Sequence, residues 1–451
     1  MDLTSDKYKT RLEKISSDLL RPVRINRSFI LWMILLFLAL AVCLYAYSMQ
    51  LRKGMIVTGL RDVTSWGMYI ANFVFFVATS LIGMLISSVL GLIGVKWIKP
   101  IGRIAEIIAV AFAAVAGIVI IMDMGRPERL AYVFLYARVQ SPILWDIAVV
   151  ITYFVLSLLL WFIPLIPDIA VAKTRLSGRP SFLRRAYELL SFKWVHHEKQ
   201  YRILKQATRI LLILIIPTAF AIHTVTSWLF AVTPRAGWYS TIFGPYFISG
   251  AFVSGTAAII IAMYFFRINY KFQDYITDFH FERIARILVL VSVVYIYFNL
   301  NEFLVPAYKM MKFDAIHLRE LFTGKEALFF WGVQILGLVL PVILLLFRQM
   351  RKPIPLLIIS IFVLVGAWLK RYIIVVPPQG HPYLPVQYVP AEWHIYTPTL
   401  IETAVTLTSF ILVLIIISLL AKFFPIIPIC ELSGEEDIVE NQKDANDVQL
   451  T

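Results

Sequence analysis

Ten apolar stretches run through this chain, at about 28–49, 66–94, 101–122, 142–166, 208–232, 244–267, 284–306, 327–347, 353–376 and 400–424. Each offers about 20 residues to a bilayer, enough at 1.5 Å per residue to cross its hydrocarbon core. No water reaches that core, so every backbone N–H and C=O has to be satisfied inside the protein, which restricts spanning segments to helices or closed barrels. Continuous apolar runs lack the two-residue alternation of a barrel strand. The expected fold is therefore all-α and polytopic, with about ten transmembrane helices.

Composition agrees with this: 60% of the residues are hydrophobic and only 16% charged, far from an ordinary soluble chain. The net charge of +14 does not point to nucleic acid, because the basic residues flank the apolar stretches instead of forming a stripe along a groove. Of the 42 Lys and Arg, 29 fall on the side that holds both termini and 13 on the other. The positive-inside rule then predicts cytoplasmic termini. Nothing before the first stretch reads as a cleavable signal peptide. The connection 167–205 is the most basic, with an amphipathic segment around Phe182 to Trp194. The acidic tail beyond Glu431 is expected to stay disordered or to order against a partner.

Helices 2–5 recur as helices 6–9. Arg103-Ile104-Ala105-Glu106 opens helix 3 as Arg283-Ile284-Ala285-Arg286 opens helix 7, Asp123 answers to Glu302, and Trp145 to Trp331. Repeats of four helices share one orientation, as parallel repeats do in some transporters. The expected organisation is a cytoplasmic segment 1–27, helix 1 and an outer loop 28–65, and a first four-helix bundle 66–232. A second bundle 233–376, an outer loop with helix 10 over 377–424, and the tail 425–451 follow. Helices 1 and 10 are expected at the periphery. Small residues at four-residue spacing (Gly83, Ser87 and Gly91; Gly250, Ser254, Ala258 and Ala262) predict close helix packing.

Polar groups gather at one level of the first bundle. Asp123 and Arg126 end helix 3, Trp145 and Asp146 open helix 4, Trp66, Tyr69 and Asn72 open helix 2, and His223 lies in the same half of helix 5. Ionisable residues inside a membrane mark functional sites. A quinone head group needs hydrogen-bond partners for its two oxygens, a carboxylate or imidazole for its protons, and apolar walls. Asp123, Asp146 and His223 are the expected proton-handling residues, and all eight form the expected quinone site. An Asp123–Arg126 ion pair is geometrically easy. Glu106 either belongs to a proton path or pairs with Arg103. In the second bundle Glu302, Lys370 and Arg371 share the outer level, where an ion pair neutralises them; Gly332 stands where the repeat places Asp146, so this bundle reads as structural.

The two cysteines, Cys43 and Cys430, cannot ligate an iron–sulfur cluster, which takes four ligands. Of seven histidines only His223 lies well inside a spanning helix, and bis-histidine haem needs two. The chain is expected to carry no haem, no iron–sulfur cluster and no metal.

At these residues the chain resembles the NrfD/PsrC-like family of integral membrane subunits, typified by the membrane subunit of polysulfide reductase. The matching stretches include Trp66-Gly67-Met68-Tyr69-Ile70-Ala71-Asn72-Phe73, Asp123-Met124-Gly125-Arg126-Pro127-Glu128-Arg129, Ser141-Pro142-Ile143-Leu144-Trp145-Asp146, His223-Thr224-Val225-Thr226-Ser227 and Arg371-Tyr372-Ile373-Ile374-Val375-Val376-Pro377. Within the family the chain is most similar to the large membrane subunits of alternative complex III and related DsrP- and Hmc-type complexes, although Asp123 stands where alternative complex III members carry histidine. The resemblance implies a subunit that exchanges electrons between quinone, menaquinone in particular, and a peripheral iron–sulfur subunit or multihaem cytochrome c. It also implies a homologous NrfD-like membrane partner, membrane lipid around both, and proton translocation through Glu106, Asp123 and Asp146. A secondary transporter and a purely structural anchor are the rival readings. Transporters tend to break corresponding helices of both halves, and Pro217 and Pro341 are not at corresponding positions.

The isolated chain is predicted to bind no haem. A Soret band that stays with it after all partners are stripped away would overturn this.

Overall fold

The computed structural model describes residues 12–23, 25–175, 181–195, 197–381 and 388–433; the tail 434–451 lies outside them. Among the described residues, ten helices are long and apolar enough to cross a membrane. We number them α1 (Arg27–Lys53), α2 (Met68–Leu92), α3 (Lys99–Asp123), α4 (Pro142–Phe162), α5 (Glu198–Ala231), α6 (Phe243–Asn269), α7 (Asp278–Lys309), α8 (Ala327–Leu346), α9 (Pro353–Val375) and α10 (Leu400–Phe423). The all-α polytopic fold read from the sequence is the observed one. The longest departure is α5, which begins at Glu198 and not near residue 208, because a polar, helix-forming stretch extends it beyond its apolar run.

The architecture is centred on α2 and α6, whose most apolar windows are each 83% buried, against 17% for α1. Helices α2, α3, α4 and α5 pack in a closed ring of neighbours, and α6, α7, α8 and α9 in another; α2 touches α6 and α9 across the junction. Helix α10 lies between α1 and the α2–α3 pair, while α1 rests mainly on α10. Two glycines allow the central contacts. A Cβ at Gly83 on α2 would stand 2.2 Å from the carbonyl oxygen of Ala105 on α3, and one at Gly255 on α6 would stand 2.0 Å from Ile82 Cγ2 on α2. Between helices in lipid there is little hydrophobic drive, so such close approach is what holds them together.

Helix α8 departs from α geometry in a π-turn at Ile335–Val339, ahead of Pro341, whose missing N–H and bulky ring cannot be fitted into an unbroken ladder. Trp145 and Trp331 make similar contacts: each indole N–H donates to a carbonyl of the preceding connection, that of Val139 at 2.5 Å and that of Phe322 at 3.1 Å.

Both described chain ends lie at one end of the bundle, here the terminal end. Arg103 on α3 pairs there with Asp168 in the extension of α4 (Ile166–Arg175). The pair is buried, and the second oxygen of Asp168 accepts the backbone N–H groups of Ile429 at 3.1 Å and Cys430 at 2.8 Å. The sequence offered Glu106 as a partner for Arg103, but Glu106 accepts instead from Ser87 on α2. Three turns of chain thus meet on one carboxylate.

Asp168→Ala leaves Arg103 buried without a counter-charge and frees two N–H groups. Loss of one partner of a buried pair costs about 3–5 kcal/mol, so the variant is expected to melt at clearly lower temperature in detergent and to expose residues 425–433 to protease. Gly255→Leu, which cannot be accommodated against Ile82, should abolish stable folding in the same assay.

Candidate functional site

Opposite the terminal end, the N-terminus of α2 sits between neighbours on three sides, and its polar residues part accordingly. Trp66 precedes the helix. Its backbone N–H donates to Gln379 Oε1 at 2.9 Å and its carbonyl accepts from Gln379 Nε2 at 2.5 Å, which fixes the ring against Phe230 of α5 and Trp238, both at 5.3 Å between centroids. Tyr69 turns the other way: its hydroxyl donates to Gln50 Oε1 of α1 at 2.7 Å, and Gln50 Nε2 donates to the Met122 carbonyl at 2.8 Å. Asn72 lies between α9 and α10, donating to Thr406 Oγ1 at 2.9 Å and accepting from the Trp368 indole at 2.7 Å.

Asp146 and His223 form a separate pair of functions on α4 and α5. Asp146 is buried in the second turn of α4 and accepts from Thr226 Oγ1 at 2.5 Å. His223, one turn before Thr226, is buried with Nδ1 3.2 Å from the carbonyl oxygen of Ala219. A carbonyl can only accept, so Nδ1 carries the proton and a neutral imidazole presents Nε2 as a bare acceptor. That Nε2 is buried without a hydrogen-bond partner. Phe230, seven residues on, continues the same buried face of α5 to the Trp66–Trp238 cluster. An acceptor and an aromatic wall therefore lie along one face of α5, and the Asp146 carboxylate of α4 meets that helix at Thr226.

The structure does not bring all eight predicted residues into a single pocket. Trp66, Asp146 and His223 share the α4–α5 side; Tyr69 and Asn72 face α1, α9 and α10. Trp145 is 38% exposed on the outside of the bundle, edge-on to Trp228 at 6.2 Å, since adjacent residues stand about 100° apart on a helix and Asp146 takes the inward position. The Asp123–Arg126 ion pair does not form. Helix α3 ends at Asp123, Met124 is extended and Arg126 is exposed, so the three-residue spacing is no longer helical; Asp123 Oδ1 is buried with no hydrogen-bond partner.

Sequence reasoning missed Glu402. This carboxylate on α10 is fully buried and accepts from Tyr396 Oη at 2.7 Å and from the backbone N–H groups of Gly59 at 2.8 Å and Thr399 at 2.9 Å. The signal was present as the capping-box pattern Thr399-x-x-Glu402. Gln50 and Gln379 carried none, since an isolated amide has no periodicity to betray it. Among the other histidines, His317 is buried on the short helix Lys312–Thr323, and burial pushes it down to about 3, which keeps it neutral. His381 pairs with Glu320 at 2.7 Å. Among the described residues no cluster of three or more metal-type ligands occurs.

The polar level just described, laid over ten spanning helices, coincides with a family match. The model for "Polysulphide reductase, NrfD" matches residues 56–381. The chain belongs to the polysulphide reductase NrfD family. Among curated NrfD-type relatives it is 32% identical over 237 residues to a putative dimethyl sulfoxide reductase membrane subunit of Halobacterium salinarum, a match spanning half of that protein. It is 25% identical over 411 residues to a selenate reductase subunit of Mesobacillus selenatarsenatis and 24% identical over 413 residues to the Hdr-like menaquinol oxidoreductase integral membrane subunit of Archaeoglobus fulgidus. These two matches cover 87% and 89% of this chain and 93% of each relative. The family and the multi-pass membrane fold follow.

Because Arg126 is exposed and unpaired with Asp123, Arg126→Gln is expected to leave both stability and activity nearly unchanged, within the at most about 1 kcal/mol of an exposed charge. Glu402→Gln should lower the melting temperature clearly. Circular dichroism melting of the two variants side by side checks both.

Proposed function

We propose that this NrfD-family chain is the quinol-reactive membrane subunit of a respiratory oxidoreductase, with the reacting head group held on the α4–α5 side by His223 and Asp146. The single observation that carries this is the unpartnered Nε2 of His223, a buried acceptor one turn from the Thr226–Asp146 hydrogen bond. A quinol O–H has the donor that this nitrogen lacks. Trp66, Phe230 and Trp238, with Phe230 edge-on to the two indoles, supply an apolar aromatic wall, as a quinone ring requires. The menaquinol oxidoreductase membrane subunit of Archaeoglobus fulgidus named above supports quinone as the substrate class and menaquinone as its form.

In this reading one quinol hydroxyl donates to His223 Nε2 and Asp146 takes a proton through Thr226. The two electrons leave to a peripheral iron–sulfur subunit, directly or by way of a multihaem cytochrome c, since this chain is proposed to hold no haem or cluster. Asp123, with its unpartnered oxygen, stands beside the Tyr69–Gln50 chain as a second proton acceptor and exit. Glu106, held by Ser87 nearer the terminal end, extends a proton path in the other direction. Positive-inside counting places the terminal end in the cytoplasm and the reacting end outside, in a prokaryotic inner membrane beside a homologous NrfD-like subunit. The second ring of helices, with its Lys370–Glu302 pair at 3.2 Å, is proposed to be structural and to descend from the same repeat as the first.

In a complex that assembles normally, Asp146→Asn is expected to lower quinol turnover by about 10²-fold or more, and His223→Leu by a comparable factor, because each removes a proton acceptor from the reacting group. Turnover near wild type in both variants would overturn the assignment. Asp123→Asn with Arg126→Gln should behave as Asp123→Asn alone; recovery in the double variant would show the two residues to act as a structural pair.

A further inference from the structure

Arg371 is a buried cation whose charge the protein itself does not match. It is 2% exposed on α9, turned toward α6 and α7, with its guanidinium 5.2 Å over the Phe247 ring. Gly250 on α6 makes room for it: a Cβ there would stand 2.7 Å from Nη2. The neighbouring Lys370 has a partner in Glu302, but among the described residues no carboxylate lies within 4 Å of Arg371. Its Nε and Nη1 are buried without hydrogen-bond partners. A guanidinium does not lose its proton in a protein, and an isolated charge at this depth is costly. Lys370, Arg371 and Glu302 together leave one positive charge in the interior of the second ring.

A cavity of about 20 Å³ lies against these atoms, lined by Gly250, Tyr295, Gln334, Gly337, Lys370 and Arg371. That volume holds one water or one ion of similar size and nothing as large as a quinone ring. Its shape follows from the backbone: the π-turn of α8 begins directly after Gln334, and Gly337 meets Gly366 so closely that a Cβ on the latter would stand 2.4 Å from the former's Cα. Gln334 and Asn299 pair reciprocally, Gln334 Oε1 accepting from Asn299 Nδ2 at 2.8 Å and Gln334 Nε2 donating one hydrogen to Asn299 Oδ1 at 3.5 Å, which leaves the second hydrogen of that NH₂ group to donate. Arg371, Gln334 and Lys370 thus bring the polar nitrogens to a cavity whose other walls, Val253, Val333, Leu338, Val363 and Ala367 among them, are apolar; Lys370 is already paired with Glu302.

We infer that this cavity binds a single small inorganic anion of the halide class, held by Arg371 and Gln334, and that the anion completes the charge balance of the second ring. A second cavity of about 20 Å³, lined by Glu302, Asp314 and His317, lies on the far side of the Lys370–Glu302 pair.

The test uses the full chain in detergent with its co-purifying subunits. Melting is followed while chloride replaces gluconate at constant ionic strength, and crystals are soaked in sodium bromide. Wild-type protein is expected to show a melting temperature that rises and saturates with chloride, and an anomalous bromide peak at Arg371. Arg371→Gln should lose the chloride-dependent shift while leaving haem-free, helical protein. If Arg371→Gln does not fold, the wild-type bromide peak alone decides. Equal melting in chloride and gluconate, or bromide absent from the Arg371 cavity, overturns the inference and leaves water as the occupant.

Discussion

The contact on which the rest of the structure depends is the near-touching of α2 with α3 and α6 at Gly83 and Gly255. Apolar side chains gain little by leaving lipid for another apolar surface, so helices in a membrane are held by dispersion at close range and by hydrogen bonds. Removing two side chains lets three backbones approach to distances that any Cβ would forbid. Once α2 is placed at the centre, each face of it meets a different helix. Its N-terminal polar residues are then handed to different partners: Trp66 to α5, Tyr69 to α1, Asn72 to α9 and α10.

The buried polar groups divide by how completely they are satisfied. Asp168 and Glu402 each accept several donors from distant parts of the chain, and act as fasteners at opposite ends of the bundle: the first ties residues 425–433 to α3 and α4, the second ties the loop at Gly59 and the loop at Tyr396 to α10. A carboxylate with its lone pairs filled has no capacity left for a substrate. Asp123, His223 and Arg371 differ in kind, each keeping a buried polar atom without a partner. Such groups are expensive to leave unmet, and here they occur on the α3, α5 and α9 segments near one level. Ser157, His317 and Ser360 also keep such an atom, so what singles out His223 is the Thr226–Asp146 hydrogen bond one turn away and what singles out Arg371 is the cavity beside it.

How much was legible in the sequence can be judged residue by residue. The ten helices were readable because hydrocarbon allows no other use of twenty apolar residues, and their ends were readable to a few positions except where α5 runs on into polar sequence. Gly83 was readable from its four-residue spacing, but Gly255 was not, because it lies one residue off the Gly250-Ser254-Ala258-Ala262 stripe. Asp146 and His223 were found because ionisable groups inside an apolar run are rare. Glu402 escaped because it stands at a helix start, where a carboxylate has an ordinary capping role, and Gln50 and Gln379 because amides are unremarkable one at a time. The expected Asp123–Arg126 pair failed for a local reason, the end of α3 at Asp123, which turns a helical spacing into an extended one.

Sequence alone determined that this chain forms ten long apolar helices, and how far along its helix each polar residue stands, because that distance follows from position along a helix of known rise. It did not determine which residues at one depth face one another. That depends on the rotation of each helix about its own axis, and rotation is set by which small residues meet which neighbours, a relation between segments far apart in the chain. Tertiary structure therefore decided that Asp146 meets Thr226 beside His223, that Tyr69 and Asn72 turn away from them, that Trp145 faces outward, and that Arg371 is left without a carboxylate beside a cavity of one atom's size.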